Sequence, residues 1–179
     1  MNQKSKVAKM TTVALSTAIL CILGPMSIMI PVSPVPIALS IFGIYIAAYA
    51  LGCKWGTIAT CLYLLIGLVG IPVFSAFSGG PGKLFGPTGG YLIGYIPLAF
   101  FSGLFIDKFE KHIYLHVVGI LIGLVICYAL GTAWLAFQAG MEFKAALGAG
   151  VIPFIPGDIA KIILAVVVGV PLRKAIKRM

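Results

Sequence analysis

At 179 residues the chain is 61% hydrophobic and only 9% charged, a composition that excludes a water-soluble domain and makes this an integral membrane protein. Its thirteen Lys and Arg against four Asp and Glu give a net charge of +9. The basic residues stand at the ends of apolar runs rather than on one soluble face, so topology explains them and nucleic-acid binding is not indicated.

The apolar runs are too long for the alternating, roughly ten-residue strands of a barrel, which leaves an all-α fold. Met1 to Lys9 is basic and leads into an apolar run, like a signal peptide in outline, but no small-residue cleavage site follows. The run is therefore read as a retained first helix, about 11–30. Ala14 and Ala18 lie one turn apart on it, a spacing that lets another helix approach closely, within the bundle or from a partner. Pro31-Val-Ser-Pro-Val-Pro36 predicts a stiff, extended loop. Two short segments follow, about 37–51 and 55–69, joined as a tight hairpin with Lys54 at its tip. At roughly 22 Å each they fall short of the hydrocarbon layer, so their ends are expected to face a cavity or other protein.

Residues 70–90, GIPVFSAFSGGPGKLFGPTGG, are too rich in Gly and Pro for a regular helix and too apolar for a solvated linker. The stretch should fold back on the bundle as a lid or ligand wall. It is no phosphate loop, because Gly82-Lys83 is followed by Leu84 rather than Ser or Thr, and its glycine spacing fails the dinucleotide pattern. A fourth helix is predicted at about 91–106, then a polar connection from Asp107 to His112, then a fifth helix at about 113–137. Gly90 with Gly94 and Gly119 with Gly123 are read as packing positions, and His116 as an interfacial residue with no carboxylate beside it. Cys21, Cys53, Cys61 and Cys127 show no metal or disulfide spacing and are read as small packing residues. A loop, 138–150, leads to a sixth helix at about 158–172.

Six segments put both termini on one side. Ten of the thirteen basic residues fall there, against Lys83 and Lys144 opposite and Lys161 embedded, so both termini are expected in the cytoplasm. The proline loop, the glycine loop and the stretch Pro153-Phe-Ile-Pro-Gly-Asp-Ile-Ala-Lys161 then converge on the outer side. Asp158 and Lys161 share a helical face at the edge of an apolar segment, where an ionisable group costs about 3 kcal/mol unless it is paired or lines a cavity. With Phe74 and other aromatics, hydroxyls from Ser75, Ser78, Thr88 and Tyr91, and glycine N–H groups such as that of Gly89, these residues describe an outward-facing pocket. The pocket suits a compact, mostly apolar molecule carrying an amide-like group and an acid. With no acidic cluster for a metal and no nucleophile with an attendant base, binding rather than catalysis is expected, with no cofactor and no nucleotide.

Gly70-Ile-Pro-Val-Phe74, Gly79-Gly80, Leu84-Phe-Gly-Pro-Thr-Gly-Gly-Tyr91 and Ile155-Pro-Gly-Asp-Ile-Ala-Lys161 closely resemble the BioY family, the biotin-specific S components of energy-coupling factor (ECF) transporters. The resemblance spans nearly the whole chain. It implies a six-helix S-component fold in the cytoplasmic membrane and biotin as the captured ligand. It also implies partnership with a transmembrane coupling subunit, EcfT, and two cytoplasmic ATPases. By the same resemblance Asp158, Lys161, Ser78 and Tyr91 contribute to biotin binding, Asp158 meeting the ureido N–H groups, while Ala14 and Ala18 meet the coupling subunit. The chain departs from the family after Pro36, where Ile37-Ala-Leu-Ser40 replaces the frequent Ile-Thr-Leu-Gln. An S component for another vitamin, or a solitary secondary transporter, is the alternative; the latter would call for inverted repeats, which the two halves do not show.

Overall fold

In the computed structural model, which describes residues 3–28 and 35–178, the first helix, α1, spans Gln3–Leu23. It ends seven residues short of the expected boundary because Gly24-Pro25 follows, and proline has no N–H with which to continue the ladder. The chain next forms a short strand, β1 (Ser27–Ile28), paired antiparallel with β2 (Ile37–Ala38) in the register Ser27 to Ala38 and Ile28 to Ile37. Pro31 to Pro34, the middle of the proline loop, lies outside the described residues.

The helix α2 covers Ser40–Leu68 and holds both of the short predicted segments. They are joined through one residue, Gly52, whose φ of 73° and ψ of −167° break the helix into 40–51 and 53–68. Only glycine fits here. Besides the positive φ, a Cβ on Gly52 would lie 2.5 Å from the Asp107 carboxylate. That carboxylate accepts the Cys53 N–H at 2.7 Å and so caps the second half of the helix. Asp107 itself belongs to the last turn of α4 (Gly89–Lys108), not to the polar connection in which the sequence reading put it.

Between α2 and α4 the glycine-rich stretch does fold back onto the bundle. Phe74 and Ser78 bridge across a tight loop in which Ala76 and Phe77 take left-handed φ values of 58° and 54°. The Ala76 N–H donates to Ser27 Oγ at 3.0 Å, which ties this loop to β1. A one-turn helix, α3 (Pro81–Leu84), completes the connection. Next come α5 (Ile113–Ala139), ended by a left-handed Gly140, and α6 (Phe143–Gly150), a short helix inside the stretch expected as loop. The last helix, α7, spans Ile155–Arg178. It starts three residues before the expected point because Pro156 falls in its first turn, where a missing N–H costs nothing.

With the halves of α2 taken separately, α1, α2, α4, α5 and α7 supply six bundle helices, and α4 lies centrally against α2 and α5. Small residues set that approach: a Cβ on Gly94 would meet Cys127, and one on Gly123 would meet the backbone of Leu98. The interior holds Leu20, Tyr45, Tyr49, Tyr63, Leu98 and Ile120, all essentially inaccessible. Outward-facing Leu15, Leu65, Val125 and Val167 are more than half exposed, as lipid-facing positions are. Lys9, Thr12, Leu51, Trp55 and Ile176 line one groove, so the start of α1, the break in α2 and the end of α7 share one end of the bundle. The strand pair, α6 and the start of α7 lie at the other end.

Candidate functional site

The first turn of α7 delivers Asp158 to the positive end of a helix dipole. The side chain is 2% exposed, so the carboxylate needs partners, and it has two. Lys161, one turn on and 6% exposed, donates to Oδ1 at 2.8 Å. The Tyr128 hydroxyl, from the middle of α5, makes a short hydrogen bond to Oδ2. Tyr128, Asp158 and Lys161 face a small cavity of about 30 Å³ walled by Tyr91 and Tyr95 of α4 and by Phe154. That volume admits water-sized occupants only, so a fused bicyclic ligand requires a wall to withdraw.

Each wall residue has a local reason to be where it is. Tyr91 presses its ring into the gap over Gly131 and donates its hydroxyl to the Gly150 carbonyl at 3.1 Å, which leaves its ring as the surface shown to the cavity. Tyr95, one turn on, shares a 3.0 Å hydrogen bond with Ser40 Oγ, and both residues are buried. Ser40 is the end of the stretch that departs from the family pattern, and here it satisfies a buried tyrosine hydroxyl. Deeper still, the hydroxyl of fully buried Tyr45 has no hydrogen-bond partner among the described residues.

Of the pocket residues singled out from sequence, the structure brings Asp158, Lys161 and Tyr91 together and leaves Phe74, Ser75, Ser78, Thr88 and Gly89 outside the cavity lining. Phe74 is a core anchor, fully buried beneath Gly67 with its ring edge-on to Tyr63 at 5.6 Å. Ser78 donates to the Ser75 carbonyl at 2.6 Å and holds its own turn. Thr88 stands at the start of α4 without a side-chain capping bond, and Gly89 packs so closely on the Leu84 carbonyl that no Cβ fits. Ala14 and Ala18 both face outward on α1, whose opposite face, with Val13, Thr17 and Leu20, packs on α2. His116 lies near the other end of the bundle, its Nε2–H donating to the Phe109 carbonyl at 3.1 Å and its Nδ1 facing the Tyr49 hydroxyl at 3.4 Å.

Tyr128, Tyr95 and Phe154 were missed by sequence reasoning. A usable signal existed for Tyr95: it follows Tyr91 by four residues, which puts both on one helical face. Tyr128 gave none, because a tyrosine inside a long apolar helix is as much at home in an ordinary core.

The model of the BioY family matches residues 1–178. This chain belongs to the BioY family. Among the relatives of this family member, a biotin transporter BioY of Thermotoga maritima is 42% identical over 82% of the chain and 86% of its own length. A second, biotin transporter BioY2 of Lactococcus lactis, is 35% identical over 97% of the chain and 94% of its own length. Among solved structures, the crystal structure of the S-component for biotin from an ECF-type ABC transporter superposes with a TM-score of 0.90 at 35% identity. That likeness covers 97% of this chain and 95% of the other, so it extends to the whole fold of a multi-pass S component, a class of transport subunit and not an enzyme.

Proposed function

We propose that this chain is the biotin-binding subunit of an ECF-type transporter of the cytoplasmic membrane. The observation that carries the reading is the Asp158 carboxylate, buried yet facing a cavity walled by aromatic rings, in a chain similar over nearly its full length to a biotin S-component. A cyclic urea offers two N–H donors and a carbonyl on a compact apolar bicycle. A carboxylate is the strongest neutral-pH acceptor for such donors, and tyrosine and phenylalanine faces suit the rest of the ring system.

In this reading Asp158 accepts the ureido N–H groups. Tyr128, which already occupies Oδ2, gives way to the ligand, and Lys161 holds Asp158 aligned. Tyr91, Tyr95 and Phe154 form the walls, while Phe74, Ser78, Thr88 and Gly89 shape the connection that roofs the site. The outward face of α1 at Ala14 and Ala18 meets the coupling subunit EcfT, and two cytoplasmic ATPases supply the energy. No cofactor is assigned a part. The excess of basic residues at the terminal end orients that end to the cytoplasm and the Asp158 site outward.

The test is calorimetric titration of the purified protein with biotin, with thiamine and riboflavin as controls. Saturable binding of biotin alone is expected. Correctly folded protein that binds thiamine or riboflavin in its place would overturn the substrate assignment.

A further inference from the structure

At the end of the bundle opposite Asp158, a cavity of about 200 Å³ lies between the start of α5, the connection before it and the last turns of α7. Four cationic side chains, Lys111, Arg173, Lys174 and Lys177, line it, with Glu110 as the carboxylate. Arg173 is the hub. Its Nη2 donates to Asp107 Oδ1 at 2.7 Å and to Glu110 Oε1 at 3.0 Å, and its Nη1 donates to the Tyr49 carbonyl at 3.3 Å. Lys177 takes the same Glu110 oxygen. The Glu110 carboxyl is thereby held below its ordinary range, first by Lys177 and then by Arg173.

The two carboxylates are thus used up, and the four cations leave a surplus of two positive charges. Among the described residues, Lys111 and Lys174 make no ion pair. Among the described residues the Nε of Arg173 is buried without a hydrogen-bond partner, in a guanidinium whose Nη1 and Nη2 are both engaged. A buried donor left unsatisfied costs on the order of 1–3 kcal/mol, so such groups commonly mark an absent acceptor. The acceptor must be anionic, given the surplus charge, and must offer several oxygens to cations arriving from two elements.

The surrounding surface says where such an anion comes from. On α7 the face carrying Lys174 continues toward the bilayer through Val170, Val167 and Ile163, at helical spacings of four, three and four residues. Val167 and Ile163 are 64% and 58% exposed. A basic cavity at the cytoplasmic interface with an apolar stripe descending from it matches a headgroup above an acyl chain, and the cytoplasmic leaflet is the one rich in anionic lipid.

We propose that this cavity binds the phosphate group of an anionic lipid, held by Lys111, Lys174 and the Arg173 Nε, with one acyl chain along the stripe of Val170, Val167 and Ile163. The test uses the full chain reconstituted in vesicles of equal parts phosphatidylcholine and phosphatidylglycerol, re-extracted, with the retained lipid measured by mass spectrometry. The parent is expected to keep phosphatidylglycerol over phosphatidylcholine. Lys111→Gln with Lys174→Gln is expected to cut that retention roughly tenfold at an unchanged melting temperature. Lys54→Gln with Lys108→Gln removes the same charge from the same end of the bundle outside the cavity and is expected to keep it. Equal loss in both double variants would overturn the proposal, since general surface charge would then be responsible. Stabilisation of the detergent-solubilised parent by inorganic phosphate, with no retained phosphatidylglycerol, would overturn the lipid as its source.

Discussion

Asp158→Asn separates the two duties of the buried ion pair. The asparagine oxygen still accepts from Lys161 and its amide still faces Tyr128, so the hydrogen-bond geometry of the site is kept. The negative charge is not. Lys161, 6% exposed, is left as a buried ammonium without a counter-charge, a situation that costs about 3 kcal/mol or more in buried pairs. Loss of a charged acceptor for ligand N–H groups takes about another 3 kcal/mol from binding, which is roughly a hundredfold in Kd. The assay is a cycle of Asp158→Asn, Lys161→Met and the double variant, each measured for thermal unfolding in detergent and for biotin affinity. Both single variants should be clearly less stable than the parent and the double variant closer to it, while every variant without Asp158 binds weakly. The reasoning is refuted if Asp158→Asn alone melts with the parent, or if it binds biotin as tightly.

Four other outcomes are expected. Tyr128→Phe removes the hydroxyl that occupies Asp158 Oδ2 and should tighten biotin binding about fivefold; weaker binding by titration would mean that Tyr128 steadies the carboxylate instead of competing for it. Gly52→Ala meets both the positive φ and the Asp107 carboxylate, and should destabilise the fold by about 2 kcal/mol in thermal unfolding; an unchanged melting point would refute the close approach. Because Glu110 has a depressed pKa, its contribution to stability is complete above about pH 4.5, its ordinary value, and fades as the pH falls further. Melting curves of the parent and Glu110→Gln should therefore converge in acid, and a constant gap would contradict the assignment. Ala14→Leu should leave biotin binding intact and impair assembly, so recovery of EcfT at the parent's level in a pull-down counts against the outward face of α1 as the contact.

Much of this was legible because membranes make some residues expensive. Asp158 and Lys161 stood out as ionisable groups at the edge of an apolar segment, and they are the buried pair at the cavity. The hairpin around Gly52 was likewise visible as two runs too short to span alone. Its cap was not, since Asp107 is distant in sequence and a carboxylate at a helix end carries no mark of what it will cap. The glycine-rich stretch announced its irregularity but not the direction of its side chains, so Phe74 was read as a ligand wall when it fills the core beneath Gly67. Helix ends erred for the opposite reason: α7 was expected from about residue 158, although the first turn of a helix accepts Pro156 and it begins at Ile155.

The Asp107 carboxylate joins three parts of the chain made at very different times. Cys53, whose N–H it accepts, emerges from the ribosome long before it, and Arg173 long after. The α2 hairpin therefore enters the bilayer with the start of its second half uncapped, and it gains that cap only when α4 has been inserted beside it. Arg173 in turn meets its carboxylates only as the last helix arrives. One side chain so makes the final shape of an early hairpin conditional on late synthesis, and a nascent chain halted before α4 should hold the 53–68 half less firmly than the finished protein does.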